Sequence, residues 1–252
     1  MQIEQAWQHR GLLAITLWPL SMVFRFVSFL RILCYRYGIK SSSVSPGLPV
    51  IVVGNITVGG TGKSPLVVHL VHECLKRGRR PGIVSRGYGG QVHKQPHLLR
   101  SGDLAQKVGD EPSMLYELTS VPVCICTARA DAVQFLADNT DVDIVLSDDG
   151  LQHLAMGRQA EIVVVDAERR FGNRWFLPAG PLRESLSRLN TVDLLVEQWT
   201  VGKELPSDRA AFQLEPFKCV PLLRGEARDI QAFQGRTVHA IAGIGHPQRF
   251  FN

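Results

Sequence analysis

Followed for its apolar and polar positions, the chain resolves into short apolar runs, most of which break into a turn and lead to a helical period. The runs are Pro49 to Val53, Pro81 to Val84, Val121 to Ile125, Asp143 to Ser147, Glu161 to Val165, Val192 to Val196 and Val238 to Ala242. Runs without alternation mark strands buried on both faces, and helical periods between them mark crossovers. The pattern therefore predicts an α/β domain with about seven mostly parallel strands and helices on both faces. Helical periods begin at Ser64, after Pro112, and over Arg129 to Leu136. The stretch from Gln91 to Val108 is weakly patterned, and the one between Val196 and Val238 offers no site. No internal repeat or low-complexity linker interrupts the series.

Ahead of the first strand, Gly11 to Tyr37 is apolar and long enough to span a bilayer. Arg25 and Arg31 would then lie deep in the hydrocarbon at about 2.5 to 3.5 kcal/mol each. At about 100° per residue, Ser21, Arg25, Ser28, Arg31 and Arg36 share one arc, with Met22, Phe26, Phe29, Leu30 and Leu33 opposite. This predicts a helix lying in the membrane interface with its arginines toward anionic headgroups; a helix covering the sheet is the alternative. No small-residue cleavage site follows, which argues against a secretory signal. Pro19 is expected to kink or start the main helix. Residues 1–40 are thus read as a membrane-associating segment and 41–252 as the main domain.

Composition narrows the classes. With 252 residues, 45% hydrophobic and 20% charged, the chain can bury a full core and is not disordered. Of the formal +5, Arg10, Arg25, Arg31, Arg36 and Lys40, opposed by Glu4, account for most. Basic residues that decorate an apolar segment rather than spread over a face argue against nucleic acid. The five cysteines (34, 74, 124, 126 and 219) have no paired CxxC spacing, which suits a reducing compartment without zinc.

The chemistry concentrates after the first strand. Thr57-Val58-Gly59-Gly60-Thr61-Gly62-Lys63-Ser64 has the strand, glycine loop, helix order of a phosphate-binding P-loop. Consecutive amides and a helix N-terminus attract phosphate, Lys63 reaches the β and γ phosphates, and Ser64 supplies the Mg²⁺ hydroxyl. The general pattern has glycine where this chain has Thr57, so the loop is a variant; Pro65 suits the first helical turn. Pro81 to Val84 ends in Ser85-Arg86-Gly87-Tyr88-Gly89-Gly90, where Arg86 can meet an anion. Gly109-Asp110-Glu111-Pro112 reads as a helix N-terminus, with Asp110 a candidate base beside a P-loop. Asp143 to Ser147 closes with Asp148-Asp149-Gly150-Leu151-Gln152-His153, and either aspartate fits a Mg²⁺ role. Farther on, Arg183-Glu184 ends a proline-stiffened loop where nucleotide or metal would be met. Lys76, Arg77, Arg79 and Arg80 mark a solvated helix end.

Taken together, TVGGTGKSP, SRGYGG, GDEP, SDDGLQH, FGN followed by LPAGPLRE, and AGIGHPQRFF resemble the tetraacyldisaccharide 4'-kinase family of lipid A biosynthesis. The resemblance implies a P-loop NTPase-like fold that transfers the γ-phosphoryl group of ATP to the 4' hydroxyl of a tetraacylated glucosamine disaccharide 1-phosphate. It implies ATP and Mg²⁺ as cofactors, a membrane-presented lipid acceptor, the cytoplasmic face of the bacterial inner membrane, and no obligate protein partner. It accommodates Thr57 in the loop. It makes Asp110 the acidic partner of the catalytic base, puts Asp149 and Glu184 near Mg²⁺, and leaves Asp148, Gln152, Arg86, Arg183 and Glu111 as further site candidates. The family also resembles this chain in its hydrophobic N-terminal helix, but continues past the RFF motif to a histidine that pairs with the GDEP aspartate. A chain ending at Asn252 is therefore expected to be truncated, and His246 is expected in a turn before Pro247 rather than in that histidine's role. A membrane-bound nucleotide switch, or a remnant that binds ATP without turnover, would carry the same phosphate motifs.

Overall fold

A computed structural model describes residues 7–42, 47–91, 93–216, 218–221 and 226–241. Its centre is an eight-stranded sheet in the order β3-β4-β2-β5-β1-β6-β7-β8. The strands are β1 (Val50–Gly54), β2 (Pro81–Ser85), β3 (His97–Leu98), β4 (Val123–Ile125), β5 (Ile144–Asp148), β6 (Ala160–Asp166), β7 (Leu194–Trp199) and β8 (Ala210–Gln213). All neighbours pair in parallel except β3, which runs antiparallel to β4 at one edge. The expected parallel α/β architecture is therefore present. A separate two-stranded pair, β9 (Lys218–Cys219) and β10 (Arg228–Asp229), follows.

Successive residues of a strand face opposite sides, and the two sides bury two clusters. Val50, Val52, Val84, Val145 and Val163 pack on one side with Ala132, Val133 and Leu136 of α5 (Arg129–Asn139). Val53, Ile83, Leu146, Ile162 and Val164 pack on the other with Leu66, Val67 and Val71 of α2 (Lys63–Lys76) and Leu115 of α4 (Asp110–Thr119). A short α3 (Ala105–Val108) precedes α4. Because β1 and β5 are covered on both faces, their sequences carry uninterrupted apolar runs. The basic run after α2 ends that helix at the surface, where Arg79 and Arg80 pair with Asp143 at 3.2 and 3.9 Å.

Two expectations about elements fail. Val238 to Ile241 form no strand and Val238 and Ile241 are exposed, while Ala242 and the His246 turn lie outside the described residues. The outer position beside β7 is taken instead by β8, from the stretch that offered no pattern: its residues are only partly buried, so their apolar signal is weak. β3, two residues long, is likewise too short to read from periodicity.

The N-terminal helix corrects a third. α1 (Leu12–Arg36) contains Pro19 and runs on through it. Three residues of its polar arc, Ser21, Arg25 and Arg31, touch the protein, while Arg25, Arg31 and Arg36 stay exposed. Ser21, fully buried, donates to the Phe176 carbonyl at 2.8 Å, Arg31 donates to the Gln152 carbonyl at 3.1 Å, and the Arg25 guanidinium sits over the Phe176 ring. Carbonyls at the end of the domain recruit the polar arc. Leu12, Ile15, Leu20, Val23, Phe26, Val27 and Phe29 are each more than half exposed. Ahead of α1, Trp7 donates to the Pro178 carbonyl at 2.9 Å and its own carbonyl accepts from the Asn173 amide at 2.7 Å. The N-terminal segment is thus fastened to the loop from Phe171 to Glu184, which in turn runs beside the end of β1.

Candidate active site

The loops at the carboxyl ends of the parallel strands gather where β1 lies between β5 and β6, and an open α/β sheet binds ligands in such a crevice. The loop after β1 turns through Gly59 at φ +111° and Gly62 at φ +81°, values that a side chain resists. Gly62 is also packed tightly: a Cβ there would meet Gln198 of β7 at 2.8 Å and Phe212 of β8 at 3.2 Å. The region after Val196 that offered no site therefore closes one wall of this loop. Thr57, where the general pattern has glycine, is extended and forms a β-bridge with Leu182, a conformation that needs no glycine. The neighbouring Val58 amide donates to the Pro181 carbonyl at 2.9 Å, and the Arg183 amide to the Ile56 carbonyl at 2.8 Å. Inside the loop, Asn55, fully buried, donates to Thr61 Oγ1 at 3.2 Å.

Of the two aspartates after β5, the structure pairs Asp148 with the loop serine: Ser64 Oγ donates to Asp148 Oδ2 at 3.1 Å. Asp148 is 1% exposed, and its Oδ1 is a buried acceptor with no hydrogen-bond partner among the described residues. Burial, followed by the charge of Glu111, pushes its carboxyl up to about 6, with Lys63 and the Ser64 hydroxyl opposing. Asp149, at φ +49°, turns to other partners. Its carboxylate meets Lys63 Nζ at 3.4 Å and Arg183 Nη1 at 3.1 Å, and its carbonyl accepts from Arg129 at 2.6 Å. Burial disfavours its charge, but Lys63 and Arg183 hold its carboxyl below the ordinary range.

Glu184 is buried away from Ser64's pairing: it accepts from Gln152 Nε2 at 2.7 Å and pairs with Arg188 at 3.2 Å. Burial raises its carboxyl, with Gln152 and Arg188 opposing. Gln152 also donates to the Asn55 carbonyl at 2.9 Å and accepts from Arg183, so it joins the ends of β1, β5 and the Phe171 to Glu184 loop. The SRGYGG and GDEP turns interlock. The Gln91 amide donates to the Lys107 carbonyl at 2.9 Å, and a Cβ on Gly109 would fall 2.5 Å from the Tyr88 carbonyl. Asp110 and Glu111 open α4, both exposed, with Glu111 within electrostatic reach of Asp148. Arg86 is exposed at the same rim.

Three contributors went unnoticed in the sequence. Arg129, 5% exposed, starts α5 and fixes the Asp149 backbone. Arg158 donates to the carbonyls of Leu151, His153 and Met156 and pairs with Glu161 at 3.0 Å, which clamps the turn carrying Asp149 and Gln152. Arg169, after β6, reaches the phosphate loop. Arginines scattered between motifs carry no local signal; their roles follow from the strand order. Around His153, burial first and then Arg129, Arg158, Arg31 and Arg86 push the imidazole down to about 4, so it is neutral near pH 7.

The donor set suits a magnesium nucleotide. Among the described residues no group of three His, Cys, Asp or Glu could hold a metal unaided. A hydroxyl, one buried carboxylate with an unpartnered oxygen, and a loop of amides match a Mg²⁺ that takes its remaining ligands from phosphates and water. The raised Asp148 carboxyl has a consequence for stability. The folded chain holds that proton more tightly than the unfolded chain, so stability is lost as pH rises from about 4 to about 6. Asp148→Asn should therefore stabilise the nucleotide-free protein at about pH 7.5 by roughly 1–3 kcal/mol and lose that advantage near pH 4. Urea denaturation at the two pH values checks this; a variant less stable than the parent at the higher pH would contradict it.

Against known proteins, the profile of the family described as Tetraacyldisaccharide-1-P 4'-kinase matches residues 13–252. The Tetraacyldisaccharide 4'-kinase of Hahella chejuensis (strain KCTC 2396) is 45% identical over 254 residues, covering 99% of this chain and 74% of that relative. Among solved structures, LpxK from Aquifex aeolicus, crystallised in complex with ATP, superposes with a TM-score of 0.70 at 27% identity. That superposition covers 82% of this chain and 66% of the solved one. The match spans nearly the whole sequence and includes the loops that build the site, so the chain belongs to the tetraacyldisaccharide 4'-kinase family.

Proposed function

We propose that the chain transfers the γ-phosphoryl group of ATP to the 4' hydroxyl of a tetraacylated glucosamine disaccharide 1-phosphate, giving the bis-phosphorylated lipid A precursor. The Ser64–Asp148 pair beneath a glycine loop carries the reading, because it unites the two halves of a magnesium-nucleotide site at the end of β1 and β5. The ATP bound in the Aquifex relative supports the choice of nucleotide.

In this reading the loop amides and Lys63 hold the β and γ phosphates. Ser64 and Asp148 would hold Mg²⁺, which when bound neutralises charge building on the β and γ oxygens. Asp149 and Arg183 keep Lys63 oriented through the pairs at 3.4 and 3.1 Å. In the same reading Asp110, exposed at the N-terminus of α4, helps take the proton of the acceptor hydroxyl. Arg86, exposed at the rim of the crevice, offers positive charge to an acceptor that already carries a phosphate. The exposed apolar face of α1 suits a bilayer that presents the acyl chains, at the cytoplasmic face of the inner membrane. α1 is long and apolar enough to cross a membrane by length and composition. A membrane-bound nucleotide switch would need the same phosphate groups and a lipid-facing helix, and differs in passing the phosphoryl group to water instead of a lipid acceptor.

The direct assay is label transfer from γ-labelled ATP to the tetraacylated acceptor in mixed micelles. Lys63→Ala should lower transfer by about 10²-fold or more, because it removes a charge aimed at the transferred group. Asp110→Asn should lower turnover by about 10²-fold or more while ATP affinity holds. Label released only as inorganic phosphate, in amounts indifferent to the acceptor, would favour the switch. For the membrane, Phe26→Asp combined with Phe29→Asp should reduce flotation with anionic liposomes and leave nucleotide affinity intact, since both side chains are exposed. Unchanged flotation would remove α1 from the membrane account.

A further inference from the structure

The loop from Gly59 to Gly62 is braced from β1 by Asn55 and from the Phe171 to Glu184 loop at Val58, but a third brace comes from β6, the other neighbour of β1. Asp166, the last residue of β6, is 3% exposed. Its Oδ1 accepts from the amides of Glu168 and Arg169 at 3.0 and 3.1 Å, which fixes the turn, and its Oδ2 accepts from Arg169 Nε at 3.0 Å. A guanidinium held at Nε has its two terminal nitrogens aimed in one direction. Here they aim at the phosphate loop: Nη2 donates to the Gly60 carbonyl, and a Cβ built on Gly59 would lie 3.0 Å from Nη1. The absence of a side chain at position 59 makes room for Arg169.

The direction of that bond matters. In a trans peptide the carbonyl and the following amide point opposite ways. With the Gly60 carbonyl drawn to Arg169, the Thr61 N–H is turned to the far side of the loop, the orientation a phosphate cradle requires. Glycines at 59, 60 and 62 leave this stretch free to rotate, so an outside anchor is what selects one orientation before nucleotide arrives.

We infer that Arg169, oriented by Asp166, is a positioning residue that presets the Gly60–Thr61 peptide for binding nucleotide phosphates. The inference rests on the nucleotide-dependent activity proposed above and adds the residue that organises its loop. Arginine is required because one side chain must satisfy a carboxylate at Nε and a carbonyl at Nη2 together; lysine offers one nitrogen.

Affinities of the full chain for Mg-ADP and AMP, measured by competition with a fluorescent ADP analogue, test this alongside transfer at saturating ATP. Arg169→Ala should weaken Mg-ADP by about tenfold or more, leave AMP affinity nearly unchanged, and raise KM for ATP far more than it lowers kcat. Methylguanidine should restore part of the lost ADP affinity in the variant and none in the parent, a rescue that a loss of folding would not show. Arg169→Lys should behave like the alanine variant. Should Arg169→Ala fail to fold, Arg169→Gln, which keeps most of the side chain, is measured in the same way with the same expectation. Undiminished ADP affinity, a fall in kcat without change in ADP affinity, or equal loss for AMP and ADP would each overturn the inference. Failure of the parent itself to bind nucleotide would instead sink the proposed activity.

Discussion

The hydrogen bond from Ser64 to Asp148 is the constraint on which the rest of the site depends. It exists because β1 and β5 are adjacent and parallel, in a register that sets Val53 opposite Asp148. The helix that follows β1 therefore begins directly above the carboxylate that ends β5. Burying that carboxylate is unfavourable, as its raised titration records, and one of its oxygens is left without a partner. A structure carries such a group where a ligand resolves it; in the proposed reading Ser64 and Asp148 would hold a divalent cation, whose charge would offset that of the buried carboxylate.

Around this centre the structure works by division of labour among charges. Asp149 keeps its own charge by pairing with Lys63 and Arg183, whereas Asp148 faces Ser64, the pair proposed to hold the metal. Arg158 and Arg188 bind Glu161 and, through Glu184 and Gln152, hold the turn after β5 against the end of β1. The Phe171 to Glu184 loop touches the phosphate loop on one side and the N-terminal segment on the other, through Ser21 and Trp7. The helix proposed to meet lipid is thus two contacts from the groups proposed to meet nucleotide.

How much of this was legible follows from where each signal resides. The buried parallel strands were readable because burial on both faces leaves continuous apolar runs, and the phosphate loop was readable because its function lies in its own backbone. The edge strands β3 and β8 were not, since neither buries enough apolar surface. Periodicity groups Ser21, Arg25 and Arg31 on one face of α1, but it cannot show that Ser21 and Arg31 meet the Phe176 and Gln152 carbonyls, which lie far away in sequence. Asp148 ends β5 whereas Asp149 turns out of the strand at φ +49°, which sends the two neighbours to different partners that their spacing alone could not tell apart. Arg129 and Arg169 were hidden because each acts on backbone far from it in sequence, and Arg158 because it sits in a loop with no pattern of its own.

The assignment of the metal position to Asp148 is the point most open to direct measurement. Electron paramagnetic resonance of free Mn²⁺, titrated into the full chain with ADP, reports how much metal the site takes up in the parent, in Asp148→Asn and in Asp149→Asn. The account requires Asp148→Asn to weaken Mn²⁺ uptake by about tenfold or more, with Asp149→Asn staying within about threefold of the parent. Loss of uptake in Asp149→Asn with retention in Asp148→Asn would contradict it.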